Sequence, residues 1–462
     1  MKELLIPLNE YSPKYKQVYQ SIRSLIEKGD LKKDANLPSI RRLADTLQVS
    51  RNTTLIAYEQ LVAEGYIRSE QKKGYFVESI SPFDLHSVHV TEIKEREKVQ
   101  DIVIDFRAGT VDQHAFPLKA WRQCSNEVLK EEISFTYGDR QGDPLLREKI
   151  ANYLLQSRGI RTSPNSIVIG SSTQQLLMHL SILLKNDHTS IAVENPGYDG
   201  ARIIFQMNGF QLEPIQVTEK GLSLDRLNQV DSKLVYITPS HQFPTGVTLP
   251  IPERQQLLQW AEQQNGYIIE DDYDSEFRYK QNPIPALSSL QQEARVIYLG
   301  TFSKAFLPSI RLSYMVLPSL LLSQYKHLFQ EVEQTASGLH QRTMALFMEH
   351  GHWDSHIRKM RAVYKRKMQH LVHTLQKVFD DRIEIMGSQS GIYLLIQVKS
   401  PSSEANLIKQ AQELGVKVYP TSHYFAGKYP DEPILQLGFS NLSMDQISLG
   451  VQLLAQAWDL EK

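Results

Sequence analysis

The sequence predicts a two-part α/β protein: a small N-terminal unit of helices and a hairpin, then a large domain on a mostly parallel central sheet. Three observations lead there. The 462 residues exceed one ordinary domain. The first 78 residues show helical apolar spacing broken by short turns. From residue 102 onward, apolar strand-like runs alternate with helical stretches, the pattern of strands joined by crossover helices.

Composition excludes several classes. With 41% apolar and 22% charged residues, the chain reads as a water-soluble globular protein. Its single cysteine, Cys124, rules out an internal disulfide framework and suits a reducing compartment. The start, MKELLIPLNEYSPKY, has no apolar run of signal-peptide type, and no stretch approaches the roughly 20 apolar residues a membrane span needs. A cytoplasmic location without membrane contact is expected, and no metal site is expected. Net charge is −1, while residues 1–80 alone carry +3. That excess is too small to mark a nucleic-acid binder, so the positions of the basic residues matter more than their number.

The elements of the N-terminal unit follow in order. Residues 14–28 place Val18, Ile22, Leu25 and Ile26 on one helical face, and Gly29 ends that helix. Pro38-Ser39 opens a short helix carrying Ile40, Leu43, Ala44 and Leu47. After a tight turn at Gln48-Val49, Ser50 caps a second helix that runs to Glu64 and stops at Gly65. YIRSEQKKGYFV then alternates like two strands around Lys72-Lys73-Gly74.

Helix, turn, helix and basic hairpin make a winged helix-turn-helix pattern. A helix that enters the major groove presents polar and cationic side chains from its first turn, here Ser50, Arg51, Asn52 and Thr53. Arginine takes guanine bidentately, and asparagine or threonine reaches base edges or phosphates. Ser39 and Arg41 begin the preceding helix, where backbone contact is natural, and Lys72 and Lys73 sit at the wing tip. The same pattern also fits a small helical domain with a solvated charged face. The segment LPSIRRLADTLQVSRNTTLIAYEQLVAEGYI, with KKGYFV after it, resembles the GntR-type winged-helix family. That resemblance implies double-stranded operator DNA as partner, contacted by Arg41, Arg51, Thr53 and Gly74.

Residues 79–101 lack a sustained period and end in a charge run, so they read as a linker between a 1–78 DNA-binding domain and a 102–462 effector domain. Strands are expected at Ile167–Ile169, 190–193, 233–238, 266–271, 296–300 and 312–317. Asp143-Pro144 caps a helix ending near Gly159. Beyond about residue 380 a smaller α+β lobe closes with a helix that begins at a Ser443–Gln446 capping box.

Several strand ends carry chemistry. In YIIEDDYDSEF, Asp271 and Tyr273 share one face of a buried strand. A carboxylate beside a protonated pyridine nitrogen, with a phenol near the ring oxygen, suits a pyridoxal cofactor. Lys304 follows another strand, where apolar neighbours favour the neutral amine a Schiff base requires. Arg311 and the hydroxyls of Thr301 and Ser303 suit a phosphate, as do the backbone N–H groups of Ser172 and Thr173 at a helix start. Tyr198 ends a further strand with a ring able to stack on a cofactor.

Each feature alone is common. Taken in order, YGDRQGDPLLREKIANYLLQSRG, GSSTQQLL, ENPGY, PSHQFPTG, EDDYDSEFRY and GTFSKAFLPSIRLSY resemble the fold-type I aminotransferases. The resemblance implies pyridoxal 5′-phosphate as cofactor, Lys304 as its Schiff-base lysine, Asp271 as partner of the pyridine nitrogen and Tyr273 as partner of O3′. It further implies that Tyr198 stacks on the ring, and that Ser172, Thr173, Ser303 and Arg311 hold the phosphate. The whole chain is similar to the MocR/GabR regulators, which implies a head-to-tail homodimer whose aminotransferase-like domain senses a small effector.

Two departures narrow that expectation. Phe243 precedes Pro244-Thr245-Gly246 where aminotransferases carry a cofactor-binding asparagine, which speaks for a sensor with at most a residual transaminase half-reaction. The arginine expected in a final-strand G-F-x-R context is Asn441, and the GABA-responsive regulator's second arginine is Gly200. A buried charge-assisted contact of that kind contributes about 1.5–3 kcal/mol. Arg202 and His423 are the nearest candidates to replace it. The expected effector is therefore pyridoxal phosphate itself, as in PdxR-type control of vitamin B6 synthesis. The alternatives are an amino-acid-responsive regulator of GABA or D-amino-acid type and, third, a working aminotransferase.

Overall fold

A computed structural model describes residues 6–79, 102–131, 135–279, 284–291 and 294–459. The chain divides into two compact units, Met1–Lys98 and Val99–Lys462. The expected linker, apart from Ser79, lies outside the described residues. No helix among the described residues is long and apolar enough to cross a membrane.

The first unit runs α1 (Lys14–Glu27), β1 (Asn36–Leu37), α2 (Ile40–Leu47), α3 (Arg51–Ala63), β2 (Ile67–Glu70) and β3 (Gly74–Val77). Val18, Ile22 and Ile26 of α1 meet Leu43 of α2 and Ala57, Tyr58 and Leu61 of α3 in one core. The chain leaves α2 through Gln48 at φ +51, and Ser39 and Ser50 cap the two helices by accepting from Arg42 N and Thr53 N. The expected two-stranded hairpin is instead a three-stranded sheet, order β1-β3-β2, because Asn36 and Leu37 pair with Phe76 and Tyr75. Two residues are too few to show alternation, which is why the sequence hides this strand.

The second unit begins with β4 (Ile104–Asp105), α4 (Leu118–Val128), α5 (Pro144–Arg158), β5 (Ile167–Gly170), α6 (Thr173–Leu184), β6 (Ser190–Asn195) and α7 (Asp199–Met207). It continues through β7 (Gln211–Thr218), β8 (Gly221–Leu222), α8 (Leu224–Leu227), β9 (Leu234–Ile237), α9 (Ile251–Gln263), β10 (Tyr267–Asp272), α10 (Leu287–Leu290) and β11 (Val296–Thr301). Then follow β12 (Ser313–Val316), α11 (Ser319–Leu328), α12 (Gly338–Glu349), α13 (His352–Phe379), β13 (Ile383–Met386) and β14 (Tyr393–Val398). The last elements are α14 (Glu404–Glu413), β15 (Val416–Lys417), β16 (Tyr419–Pro420), β17 (Ile434–Gly438) and α15 (Met444–Ala457), the last with its expected capping box.

Eight strands form the central sheet in the order β5-β12-β11-β10-β9-β6-β7-β8. The pairs among β11, β10, β9, β6 and β7 are parallel, while β12 runs antiparallel to both β11 and β5. Alternation sends Leu234, Tyr236, Ile269 and Leu299 to one face, against α6 and α7. Val235, Ile237, Ile268 and Val296 go to the other, against α9. Strand β7 escapes the search for apolar runs because it is mostly polar, with Ile215 as its buried residue. The smaller lobe carries a four-stranded antiparallel sheet, order β13-β14-β17-β16. β5, β6, β9, β10 and β11 point the same way, so their C-terminal ends gather at one edge, where ligands of open α/β sheets bind.

Candidate cofactor cavity and DNA-reading surface

At that edge lies a cavity of about 360 Å³. Its walls contain all eight residues expected around a cofactor: Ser172, Thr173, Tyr198, Asp271, Tyr273, Ser303, Lys304 and Arg311. Each comes from a strand end or the turn after it, which explains how positions up to 139 apart in sequence converge.

Asp271, on the same face of the sheet as Tyr236, is 4% exposed. Tyr236 donates its phenol proton to Oδ2 at 2.5 Å, whereas the buried Oδ1 has no partner. Burial pushes this carboxyl up to about 7. Its neighbours Glu270 and Asp272 point the other way, as alternation requires: Glu270 accepts from Leu287 N, and Asp272 is ion-paired with the buried Arg158 at 2.7 Å. Lys304 sits in the turn after β11, where desolvation lowers its ammonium pKa against the attraction of Asp274 and Asp271. Gly109, at φ +83, passes so close that a Cβ there would lie against Lys304 Nζ.

Tyr273 belongs to a buried polar chain. Its hydroxyl lies 3.0 Å from His241 Nδ1 and 3.1 Å from Tyr393 Oη. His241 Nδ1 is also 2.9 Å from both carboxylate oxygens of Asp274, while His241 Nε2 is buried without a partner. His241 and Asp274 were visible in the sequence as the histidine of PSHQFPTG and the last acid of EDDYD, but only the fold puts them behind Tyr273. Tyr198 lies over the cavity beside Phe243, ring centroids 5.9 Å apart and nearly perpendicular. Burial raises the Tyr198 phenol well above its usual range.

The opposite end of the cavity suits an anion. Ser172 caps α6 and Thr173 is its first residue, so the free N–H groups of that helix start face the cavity with the Ser303 and Arg311 side chains. Arg311 holds a left-handed φ of +55, unusual for a non-glycine residue, and makes no ion pair among the described residues.

The carboxylate subsite differs from expectation. Asn441 is exposed and does not line the cavity. The residue of the final strand that does is Gln436, 3% exposed, with a buried Nε2 that has no partner. The end of the strand explains the shift, because β17 stops at Gly438 and Asn441 lies in the following turn. Arg202 and His423 do not line the cavity either; Arg202 Nη2 donates to the His423 carbonyl. At Gly200 a Cβ would run into the Tyr198 ring and the Gln174 amide, so no larger residue fits beneath this tyrosine pose.

In the first unit, Ser39, Arg41, Ser50, Arg51 and Asn52 are exposed at the starts of α2 and α3. Ser50 Oγ accepts from Thr53 N at 3.1 Å and lies 2.8 Å from Thr53 Oγ1, so both hydroxyls also hold the helix cap. Lys72 (φ +65) and Gly74 (φ +119) shape the wing tip, and Lys73 Nζ lies 3.2 Å from Glu70. Arg41, Arg51 and Lys72 form no ion pair among the described residues. Arg42, which sequence reasoning passed over, lines the same surface groove as Ser39 and Arg41. The Arg-Arg pair was its signal.

Comparison with known proteins agrees with both halves. Residues 101–448 match the aminotransferase class I and II family, and residues 14–77 match the gntR family of bacterial regulatory proteins. The chain is 40% identical to the uncharacterized HTH-type transcriptional regulator YhdI of Bacillus subtilis, over 97% of this chain and 96% of that protein. It is 30% identical to the probable rhizopine catabolism regulatory protein MocR of Rhizobium meliloti, over 96% and 94%. The HTH-type pyridoxine biosynthesis transcriptional regulator PdxR of Corynebacterium glutamicum is 29% identical, over 97% of both. Among solved structures, LysN, the α-aminoadipate aminotransferase of Thermus thermophilus complexed with N-(5′-phosphopyridoxyl)-L-leucine, superposes with a TM-score of 0.70. Identity there is 26%, covering 77% of this chain and 92% of that one. The chain belongs to the MocR-type transcriptional regulators, in which a gntR-family DNA-binding domain is joined to an aminotransferase class I and II domain.

Proposed function

We propose that this regulator holds pyridoxal phosphate in the cavity at Lys304 and that the cofactor itself is the effector that alters operator binding. The observation that carries the reading is the unpartnered, buried Asp271 Oδ1 in the same cavity as Lys304, Tyr273 and Arg311. An orphaned buried carboxylate oxygen is costly unless a donor arrives, and the protonated ring nitrogen of the cofactor is such a donor. When bound, pyridoxal phosphate supplies an aldehyde that condenses with a primary amine.

The chain's own residues have distinct tasks. Asp271 holds the ring nitrogen's proton, and Tyr236 fixes that carboxylate's orientation. Lys304, its pKa lowered by desolvation, offers the neutral amine. Tyr273, backed by His241 and Asp274, would donate to the ring oxygen, and Tyr198 would cover the ring. Ser172, Thr173, Ser303 and Arg311 hold the phosphate.

The cofactor is favoured as effector over an amino acid by the cavity's cations. Among the described residues Lys304 and Arg311 are the cationic side chains lining it, and both would be taken up by the cofactor, which leaves no further guanidinium there for a substrate carboxylate. For the same reason we assign the domain to sensing, with transamination at most a residual half-reaction. One observation favours the second reading, an amino-acid effector: the unpartnered Gln436 amide is a neutral donor that a carboxylate can accept from. Operator reading falls to α3 and the wing, in a head-to-tail homodimer. The test is to titrate cofactor-free protein with pyridoxal phosphate, then with an amino-acid panel, following absorbance and operator affinity. A change in operator affinity with pyridoxal phosphate alone supports the reading. A change that needs micromolar amino acid replaces it with the second.

A further inference from the structure

Away from the cavity, three side chains with metal-ligand chemistry meet. Cys124 on α4, His350 in the turn after α12 and His352 at the start of α13 bring one sulfur and two imidazole nitrogens within 4.8 Å of one another. Cys124 Sγ lies 3.8 Å from His350 Nδ1. The two imidazole rings are 5.9 Å apart and perpendicular, set by Gly351 between them at φ +71. Sequence gave no sign of this group, because Cys124 and His350 are 226 positions apart.

A tetrahedral zinc ion with Zn–S of about 2.3 Å and Zn–N of about 2.0–2.1 Å fixes a sulfur–nitrogen edge of about 3.6 Å. The observed 3.8 Å is already near that length. A thiol S–H···N contact would account for the Cys124–His350 pair but not for the convergence of His352 on the same point. We propose that Cys124, His350 and His352 bind a thiophilic divalent cation, zinc by its ligand chemistry, with water in the fourth position.

Thiolate and imidazole select zinc-like ions over magnesium or calcium, which take oxygen ligands. Cys124 is fully buried and closes the inner side, while His350 is exposed and His352 half-buried, so an ion enters from solvent. Binding forms one Zn–S and two Zn–N bonds, and the thiol proton leaves to bulk water. The ion then joins α4 to the α12–α13 turn. One helical turn further along α13, His356 Nε2 lies 2.9 Å from the Ala305 carbonyl, next to Lys304.

The experiment uses the full-length, untagged protein. Cobalt(II) is added as a spectroscopic probe and then displaced by zinc chloride, with zinc affinity measured by calorimetry in parallel. The expected result is one equivalent per chain, a thiolate-to-cobalt charge-transfer band that zinc removes, and release of a proton. C124S should abolish the band, while H350N and H352N should each shift it and weaken cobalt and zinc binding by about tenfold or more, at least the loss known for outer partners of metal ligands. Because Cys124 is buried and C124S risks misfolding, the two histidine variants, checked by thermal melting, decide. No band in the wild-type protein, or a band and zinc affinity unchanged in H350N and H352N, overturns the proposal.

Discussion

Tyr236 donates to only one of the two oxygens of Asp271, at 2.5 Å, and leaves the other buried with no partner. If that oxygen receives the cofactor's ring nitrogen, Asp271→Asn replaces a charge-assisted contact with a neutral one. The loss expected is about 1.5–3 kcal/mol, or one to two decades in cofactor Kd. Equilibrium dialysis of cofactor against both proteins measures it. Equal affinities would remove Asp271 from the assigned role.

The same carboxyl predicts a pH dependence. Burial pushes Asp271, Glu194, Glu270 and Glu276 each up to about 7. Unfolded carboxyls titrate near 4. Between roughly pH 4 and pH 7 these four groups therefore hold more protons in the native cofactor-free protein than in the unfolded chain. Their contribution to stability is greatest at the acid end of that window and is lost as pH rises through the folded pKa, while the buried His179, His188 and His356, lowered by desolvation, act the other way. Thermal melting at about pH 5 and about pH 7.5 should show that Asp271→Asn or Glu194→Gln shifts the pH dependence of Tm, each raising Tm relative to the parent protein more at pH 7.5 than at pH 5. Variants whose Tm follows the same pH dependence as the parent protein contradict the burial assignment.

How much of this was legible beforehand depended on range. Caps are local, so Ser39, Ser50 and the Ser443–Gln446 box could be read from spacing, whereas Tyr273, expected on the strand face of Asp271, lies just past the end of β10 at Asp272. The eight cofactor residues were named from motif order, and the sheet brings them to one cavity. What stayed hidden depends on contacts between distant segments. Gly109 matters because Lys304 passes over it, His241 because Tyr273 lies against it, and Gln436 because β17 ends before Asn441. The short strand β1 and the polar strand β7 were missed because neither buries enough apolar surface to leave a pattern.

Lys304 and Gly109 form a coupled pair that mutation can separate. Lys304→Ala removes the amine and should give protein that no longer turns yellow with pyridoxal phosphate. Gly109→Ala keeps the amine but places a Cβ against Nζ at a backbone φ of +83, which alanine tolerates poorly. It should displace the lysine, slow colour formation and weaken cofactor retention while the fold persists by circular dichroism. Normal colour in Gly109→Ala would mean that the lysine has another resting position.

Gln436 and Asn441 give opposing predictions about the effector. Gln436→Arg puts a guanidinium into the cavity wall, where a bidentate carboxylate contact contributes about 1.5–3 kcal/mol. Amino acids should then perturb the cofactor spectrum at concentrations about ten- to a hundredfold lower than in the parent protein. Asn441→Arg, outside the cavity, should leave the response unchanged. If Asn441→Arg rather than Gln436→Arg confers the response, Asn441 and not Gln436 stands at the position that meets an effector carboxylate.

The DNA surface separates base reading from phosphate attraction. Arg51 is exposed at the first turn of α3 and has no ion-pair partner among the described residues, so Arg51→Ala should remove sequence preference. The two wing lysines are not equivalent. Lys73 is already 3.2 Å from Glu70, whereas Lys72 is free of ion pairs among the described residues. A phosphate contact by Lys73 must compete with that carboxylate, so Lys72→Ala should weaken binding more. Its loss should reduce the slope of log affinity against log salt by about 0.9, the value for one phosphate contact, while leaving the ratio of specific to random DNA nearly constant. Fluorescence anisotropy at several salt concentrations with both DNAs distinguishes the three variants. An Arg51→Ala protein that still prefers its operator would place the recognition turn elsewhere in the unit.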